Sequence, residues 1–162
     1  MENLFLKKEQ SVAFTGHRFI PYGKLPMLKT ALKNVIIELY AKGYTNYYCG
    51  MAMGFDLLSA EVILSLTTEY KELRLIAVVP YRNQEERFSF TDKKRYHSIL
   101  KKANETILLR EDYCQGCLLR RNDYMLAHSN RVIAYYNGEN KGGTFYTCKN
   151  AQVEGMPIIN LF

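Results

Sequence analysis

Residues 11–15 (Ser-Val-Ala-Phe-Thr) make a short apolar run closed by Gly16, the pattern of a buried strand. Pro21, Gly23 and Pro26 interrupt regular structure after it. From Met27 the apolar positions Leu28, Leu32, Val35, Ile36 and Leu39 recur at helical spacing, and that stripe stops near Gly43. Residues 45–49 are rich in strand formers and end at Gly50. A second helix is expected over 54–70, with Leu58, Val62, Leu64 and Leu66 among its apolar positions. The run 73–79 is the clearest strand, stopped by Pro80. Further along, the pattern predicts a helix at 91–102, a strand at 105–109, a helix at 115–128 and a strand at 131–136. A loop at 138–143, a helix to about 154 and a last strand at 157–161 complete the chain.

Strands that alternate with helices through short connections imply βαβ units. Right-handed crossovers then place helices on both faces of the sheet. The fold class expected is α/β, a Rossmann-like three-layer αβα arrangement with a mostly parallel sheet of about six strands. At 162 residues the chain has room for one domain over 1–162, with residues 1–10 as a lead-in. It shows no internal repeat, low-complexity segment or linker.

Composition changes this picture little. With 48% apolar and 23% charged residues the chain reads as soluble and globular. No stretch approaches the ~18 apolar residues of a membrane span, and the first ten residues lack the plan of a signal peptide. A cytoplasmic location is the expectation. Of the four cysteines, Cys49, Cys114, Cys117 and Cys148, only Cys114 and Cys117 form a C-x2-C. No second ligand pair accompanies it, so incidental thiols are expected and no metal site. A net charge of +6 points to an anionic partner, either a phosphorylated small molecule or nucleic acid.

In an open parallel sheet ligands bind beyond the carboxyl ends of the strands, so the loops that follow strands carry the candidate chemistry. In Thr15-Gly16-His17-Arg18 the glycine permits close backbone approach and Arg18 can clamp an anion. In the loop 49–56, Gly50, Met51, Ala52 and Gly54 precede a helix whose amides form a natural anion site. Asp56 there either caps that helix or accepts a ribose hydroxyl. Arg82 follows the third strand, and Arg121 and Asn122 follow the fourth. Lys141, Gly142, Gly143 and Thr144 make a second glycine-bearing helix start, where a Cβ at Gly143 would crowd a ligand or forbid the turn. The spacing is not G-x-G-x-x-G, so a standard dinucleotide fingerprint is absent.

Taken in order, Gly16-His17-Arg18, the run Gly50 to Gly54 with Asp56, Arg121-Asn122 and Gly142-Gly143-Thr144 resemble the SLOG superfamily. That superfamily groups the DNA-processing protein A (Smf) and Lonely Guy proteins, and the likeness is to its small YpsA-like branch, from about residue 11 to the end. The resemblance implies a Rossmann-like fold, a nucleotide or nucleotide-derived ligand, and a dimer or larger assembly. It places Gly16 and Arg18 at the pocket border, Gly50, Gly54 and Asp56 in one wall, and Gly142, Gly143 and Thr144 on phosphate. One departure bears on catalysis. Lonely Guy enzymes, which cleave the N-glycosidic bond of nucleoside monophosphates, carry P-G-G-x-G-T-x-x-E. Here Phe145 and Tyr146 replace the second glycine-threonine pair, and Lys149 holds the position of the catalytic Glu. Asp56 and Glu154 are the carboxylates left to substitute.

The leading expectation is a nucleotide-ligand binding protein, acting as a sensor or in nucleotide processing. Two rivals stand beside it. One is an N-glycosidic hydrolase, which needs a carboxylate facing the pocket near Gly143. The other is a single-stranded nucleic-acid binder, which needs Arg120, Arg121, Lys93 and Lys94 with Tyr96 and Tyr124 along one continuous groove. The modest charge and the lack of a recognised nucleic-acid module argue against that second rival.

Overall fold

The computed structural model describes residues 6–162, so the first half of the expected lead-in lies outside it. Six strands form one parallel sheet: β1 (Ser11–Gly16), β2 (Asn46–Cys49), β3 (Arg74–Val79), β4 (Glu105–Leu108), β5 (Arg131–Tyr135) and β6 (Ile158–Asn160). Their spatial order is β4-β3-β2-β1-β5-β6, and every pairing is parallel. The register sets Thr15 beside Ala134 and Cys49 beside Ala77, so the strand-end loops gather along one edge.

Five helices cover the two faces: α1 (Leu25–Ala41), α2 (Phe55–Leu66), α3 (Phe90–Lys102), α4 (Cys117–Ala127) and α5 (Gly142–Val153). The period-2 alternation of strand side chains decides which helices pack where. Val12, Phe14, Tyr47, Leu75, Ile133 and Tyr135 point into the core beneath α1, α2 and α3. Ala13, Tyr48, Ile76, Val132 and Ala134 point the other way, onto Met125 and Leu126 of α4 and Cys148 and Ala151 of α5. The three expected layers are therefore present. α2 lies between α1 and α3 and buries nine of its twelve residues, the polar Asp56 and Ser59 among them.

Some boundaries differ from expectation for local reasons. α1 starts at Leu25, ahead of the expected Met27, because Pro26 sits in the first turn, where its missing N–H costs nothing. α2 ends at Leu66 and not near 70. There Ser65 and Thr67 turn their hydroxyls back onto the carbonyls of Val62 and Leu64. α4 starts at Cys117, preceded by Gly116 in the left-handed conformation (φ +81°). Arg121 and Asn122 lie within that helix, as the expected span 115–128 already had them.

Candidate ligand cleft

The strand order reverses between β1 and β5. The chain leaves β1 for α1 on one face and leaves β5 for α5 on the other, which opens a crevice between the two departing loops. A cleft of about 470 Å³ occupies that place. Of the residues singled out in the sequence, Gly16, His17, Arg18, Ala52, Asp56, Arg121, Asn122, Lys141, Gly142, Gly143 and Thr144 line it. Gly50, Met51, Gly54 and Arg82 do not.

Each of those four has another place. Gly54 adopts φ +77°, and a Cβ there would collide with the backbone carbonyls of His17 and Arg18. The α2 start can therefore dock directly on the β1 loop, where the amide of Phe55 donates to the carbonyl of His17 at 3.1 Å. Gly50 underlies Arg121: its carbonyl accepts from Nη1 of that guanidinium, and a Cβ at Gly50 would stand 2.6 Å from Arg121 Cζ. Met51 is buried in the core at a positive φ of 63°, unusual for a side chain of its size. Arg82 pairs bidentately with Glu111 (2.8 and 2.9 Å) at the surface and ties the loop after β3 to the loop after β4.

Two opposite charges are buried in the cleft. Arg121 is 4% exposed and its Nε donates to Asn122 Oδ1 at 2.9 Å. Asp56 is 5% exposed, and its Oδ2 accepts the amide of Ala52 at 3.2 Å. Its side chain thus folds back on the preceding loop, and α2 has no side-chain cap at Gly54. Burial pushes the Asp56 carboxyl up to about 6, while Arg121, the Ala52 amide and Arg18 pull it down. Burial likewise lowers Arg121, against the pull of Asp56. Asp56 is therefore poised to exchange a proton near neutral pH.

His17 joins the two loops. Its Nε2 accepts the amide of Asn137 at 2.9 Å, linking the end of β1 to the loop after β5. Across the cleft, α4 and α5 both present uncapped first turns, through Gly116-Cys117-Leu118 and Gly142-Gly143-Thr144. The glycine demand in the second falls on Gly142, at φ +91°, and not on Gly143. A Cβ at Gly143 would meet only Asn122 Nδ2, at an ordinary 3.6 Å, so it would project into the cleft without forbidding the turn.

The carboxylates weighed for catalysis separate clearly. Lys149 lies over Phe145 and lines a different cavity with Tyr136 and Cys148. Glu154 is at the opposite end of the sheet, beside Arg131, where β5 begins. Among the described residues, Asp56 is the one acidic side chain lining the cleft. No group of three His, Cys, Asp or Glu residues among those described is placed to hold a metal ion. The nucleic-acid groove weighed above does not assemble: Lys93 and Lys94 ride on α3, Arg120 rides on α4 across the sheet, and Tyr96 and Arg121 are buried.

Thr15 of the first loop lines the cleft too, as do Tyr113, Gly116, Cys117, Leu118 and Leu119, to which the sequence assigned no ligand role. Gly116 was the available signal, since it stands between a strand and a helix as Gly54 and Gly142 do. The C-x2-C around it drew attention to the thiols instead, and both are free.

A parallel αβα sheet with a switch-point crevice floored by strand-to-helix loops defines a Rossmann-like protein. The family model YpsA, described as the YspA SLOG family, matches residues 21–156, and the chain belongs to this family. It is 25% identical over 150 residues to a UPF0398 protein of Bacillus pumilus, covering 87% of this chain and 81% of that one. It is 24% identical over 160 residues to the UPF0398 protein YpsA of Bacillus subtilis, covering 91% and 89%. Among solved structures it superposes on DNA processing protein A of Helicobacter pylori, a single-stranded DNA-binding protein. The TM-score is 0.66 at 20% identity, over 94% of this chain and 65% of that one, so this chain spans less than two thirds of that protein.

Proposed function

We propose that the cleft binds a nucleotide or nucleotide-derived phosphorylated ligand, with its phosphate at the α5 N-terminus, in a sensing or nucleotide-processing role. The observation that carries this reading is the convergence of three features on one switch-point crevice. They are the uncapped first turns of α4 and α5, the Arg18 and Arg121 guanidinium groups, and the buried Asp56 carboxyl. Helix N-termini favour anions through free amides and the helix dipole. Arg121 uses its Nε and Nη1 on Asn122 and Gly50, which leaves further donors of the five for an anion. Asp56 is placed to accept a sugar hydroxyl.

Mass spectrometry of small molecules released from the purified protein tests this directly, with thermal-shift screening of phosphorylated compounds beside it. A nucleotide-class ligand should appear and should raise the melting temperature, by ~2.7 kcal/mol of stabilisation at 100 times its dissociation constant. Arg18→Ala should weaken binding by ~1.5–3 kcal/mol. A protein that releases no such ligand and responds to no phosphorylated compound would refute the reading.

One observation favours hydrolysis of the N-glycosidic bond as the second reading. Asp56, raised to about 6, is a carboxyl on the cleft wall that can accept or supply a proton near neutral pH. With Lys149 outside the cleft, catalysis would have to run through Asp56, and Asp56→Asn should then abolish release of base from nucleoside monophosphates while ligand binding persists.

A further inference from the structure

A second cavity of about 570 Å³ adjoins the cleft, and Arg18, Ala52, Tyr113 and Leu118 line both. The two spaces form one trough with chemically different ends. The first end has glycine amides and the buried guanidinium of Arg121. The second has the rings of Tyr81, Phe88 and Tyr113 and no glycine. Tyr81 and Tyr113 meet edge to face, with centroids 5.2 Å apart and planes at 83°. Tyr113 is 64% exposed, so much of its ring is uncovered by the protein.

The platform is held from both sides. Arg82, next to Tyr81, makes the bidentate pair with Glu111, two residues before Tyr113, and the Arg82 amide donates to the carbonyl of Arg110 at 3.2 Å. Gln84 is buried and pinned between the Gly50 carbonyl (3.1 Å) and the Tyr96 hydroxyl (3.3 Å). Asn83, between Arg82 and Gln84, takes φ +67°, a backbone state that turns this loop sharply. The loops after β3 and β4 are thus strapped together with two tyrosines at their junction.

We infer that Tyr81 and Tyr113 form the subsite for the planar base of the ligand, with the Arg82–Glu111 pair positioning them and Arg18 marking the boundary between the phosphate and base compartments. This rests on the phosphate-binding reading above and adds what determines specificity within it. Aromatic rings hold bases by stacking, which is tolerant of base identity. The trough therefore selects nucleotides over sugar phosphates more strongly than one base over another.

Isothermal titration calorimetry with two probes separates the claims: ribose 5-phosphate, and the tightest-binding of AMP, GMP, CMP and UMP. The wild type should bind the nucleotide about tenfold or more tighter than ribose 5-phosphate. Tyr113→Ala should remove about tenfold of nucleotide affinity and lower ribose 5-phosphate affinity by a far smaller factor, with the fold retained by circular dichroism. Tyr113→Phe, which keeps the ring, should bind like wild type. If ribose 5-phosphate binds but Tyr113→Ala leaves nucleotide affinity intact, the base subsite lies elsewhere while the phosphate reading stands. If neither probe binds the wild type, the phosphate reading fails and this inference fails with it.

Discussion

At Asp56 burial and charge pull against each other, and burial is the stronger. Its carboxyl moves from an ordinary 3.8 to about 6, so between those values the folded protein keeps a proton that the unfolded chain has lost. Stability therefore falls as pH rises across that window, by up to about 3 kcal/mol over the whole shift. Asp56→Asn cannot titrate there. Urea unfolding from pH 4 to pH 7 should show the wild-type curve descending relative to the variant and the two running parallel above the window. Curves that stay parallel throughout would mean that the carboxyl titrates as an exposed one. Arg121 is the reason the shift is no larger, and Gly50 is the reason Arg121 can reach that place, since a side chain at Gly50 would occupy the guanidinium position.

The strand-to-helix loops turn these residues into a cleft, and one glycine controls how two of them fit. Gly54 lets α2 start against the carbonyls of His17 and Arg18. Gly54→Ala combines a backbone conformation costing ~1–3 kcal/mol with a collision against main chain, so a loss above that range is expected in chemical denaturation. A variant as stable as wild type would show that the β1 loop is not seated as described. This level was only partly legible in the sequence. The strands and helices were, because burial on both faces of a parallel sheet leaves apolar runs and helical stripes that survive reading one residue at a time. Gly54 and Gly142 announced their turns for a similar reason, local backbone demand, whereas Gly16 keeps ordinary backbone and its missing Cβ makes room for the Phe55 ring. Arg82 looked like a ligand clamp because charge type alone cannot tell an arginine that faces a cleft from one that faces Glu111. Arg121 was singled out by its place after the fourth strand and again by the family likeness, yet its burial inside α4 depends on contacts 71 residues apart in sequence. Tyr113 and the first turn of α4 were missed as lining because nothing local distinguishes them from any other strand-to-helix connection, and only the fold brings them to the cleft that Gly143 also lines.

Across the whole molecule, the order β4-β3-β2-β1-β5-β6 places the reversal between β1 and β5, and the cleft follows from that topology. The net charge of +6 is modest, and the cations weighed for a groove sit on helices of opposite faces, Lys93 and Lys94 on α3 and Arg120 on α4. Binding to single-stranded DNA should accordingly be weak, insensitive to sequence and lost as salt is raised. Fluorescence anisotropy at low and physiological salt checks this, and nanomolar affinity surviving at the higher salt would favour a nucleic-acid role. A phosphate seated at the start of α5 in the switch-point cleft should move the amide chemical shifts around it when a nucleoside monophosphate is titrated in. The shifts should concentrate at Gly142 to Phe145 and at Thr15 to Arg18, with the ends of α2 and α5 farthest from the cleft unmoved. Shifts confined to the opposite end of the sheet, around Ser129 to Arg131 and Glu154, would contradict it.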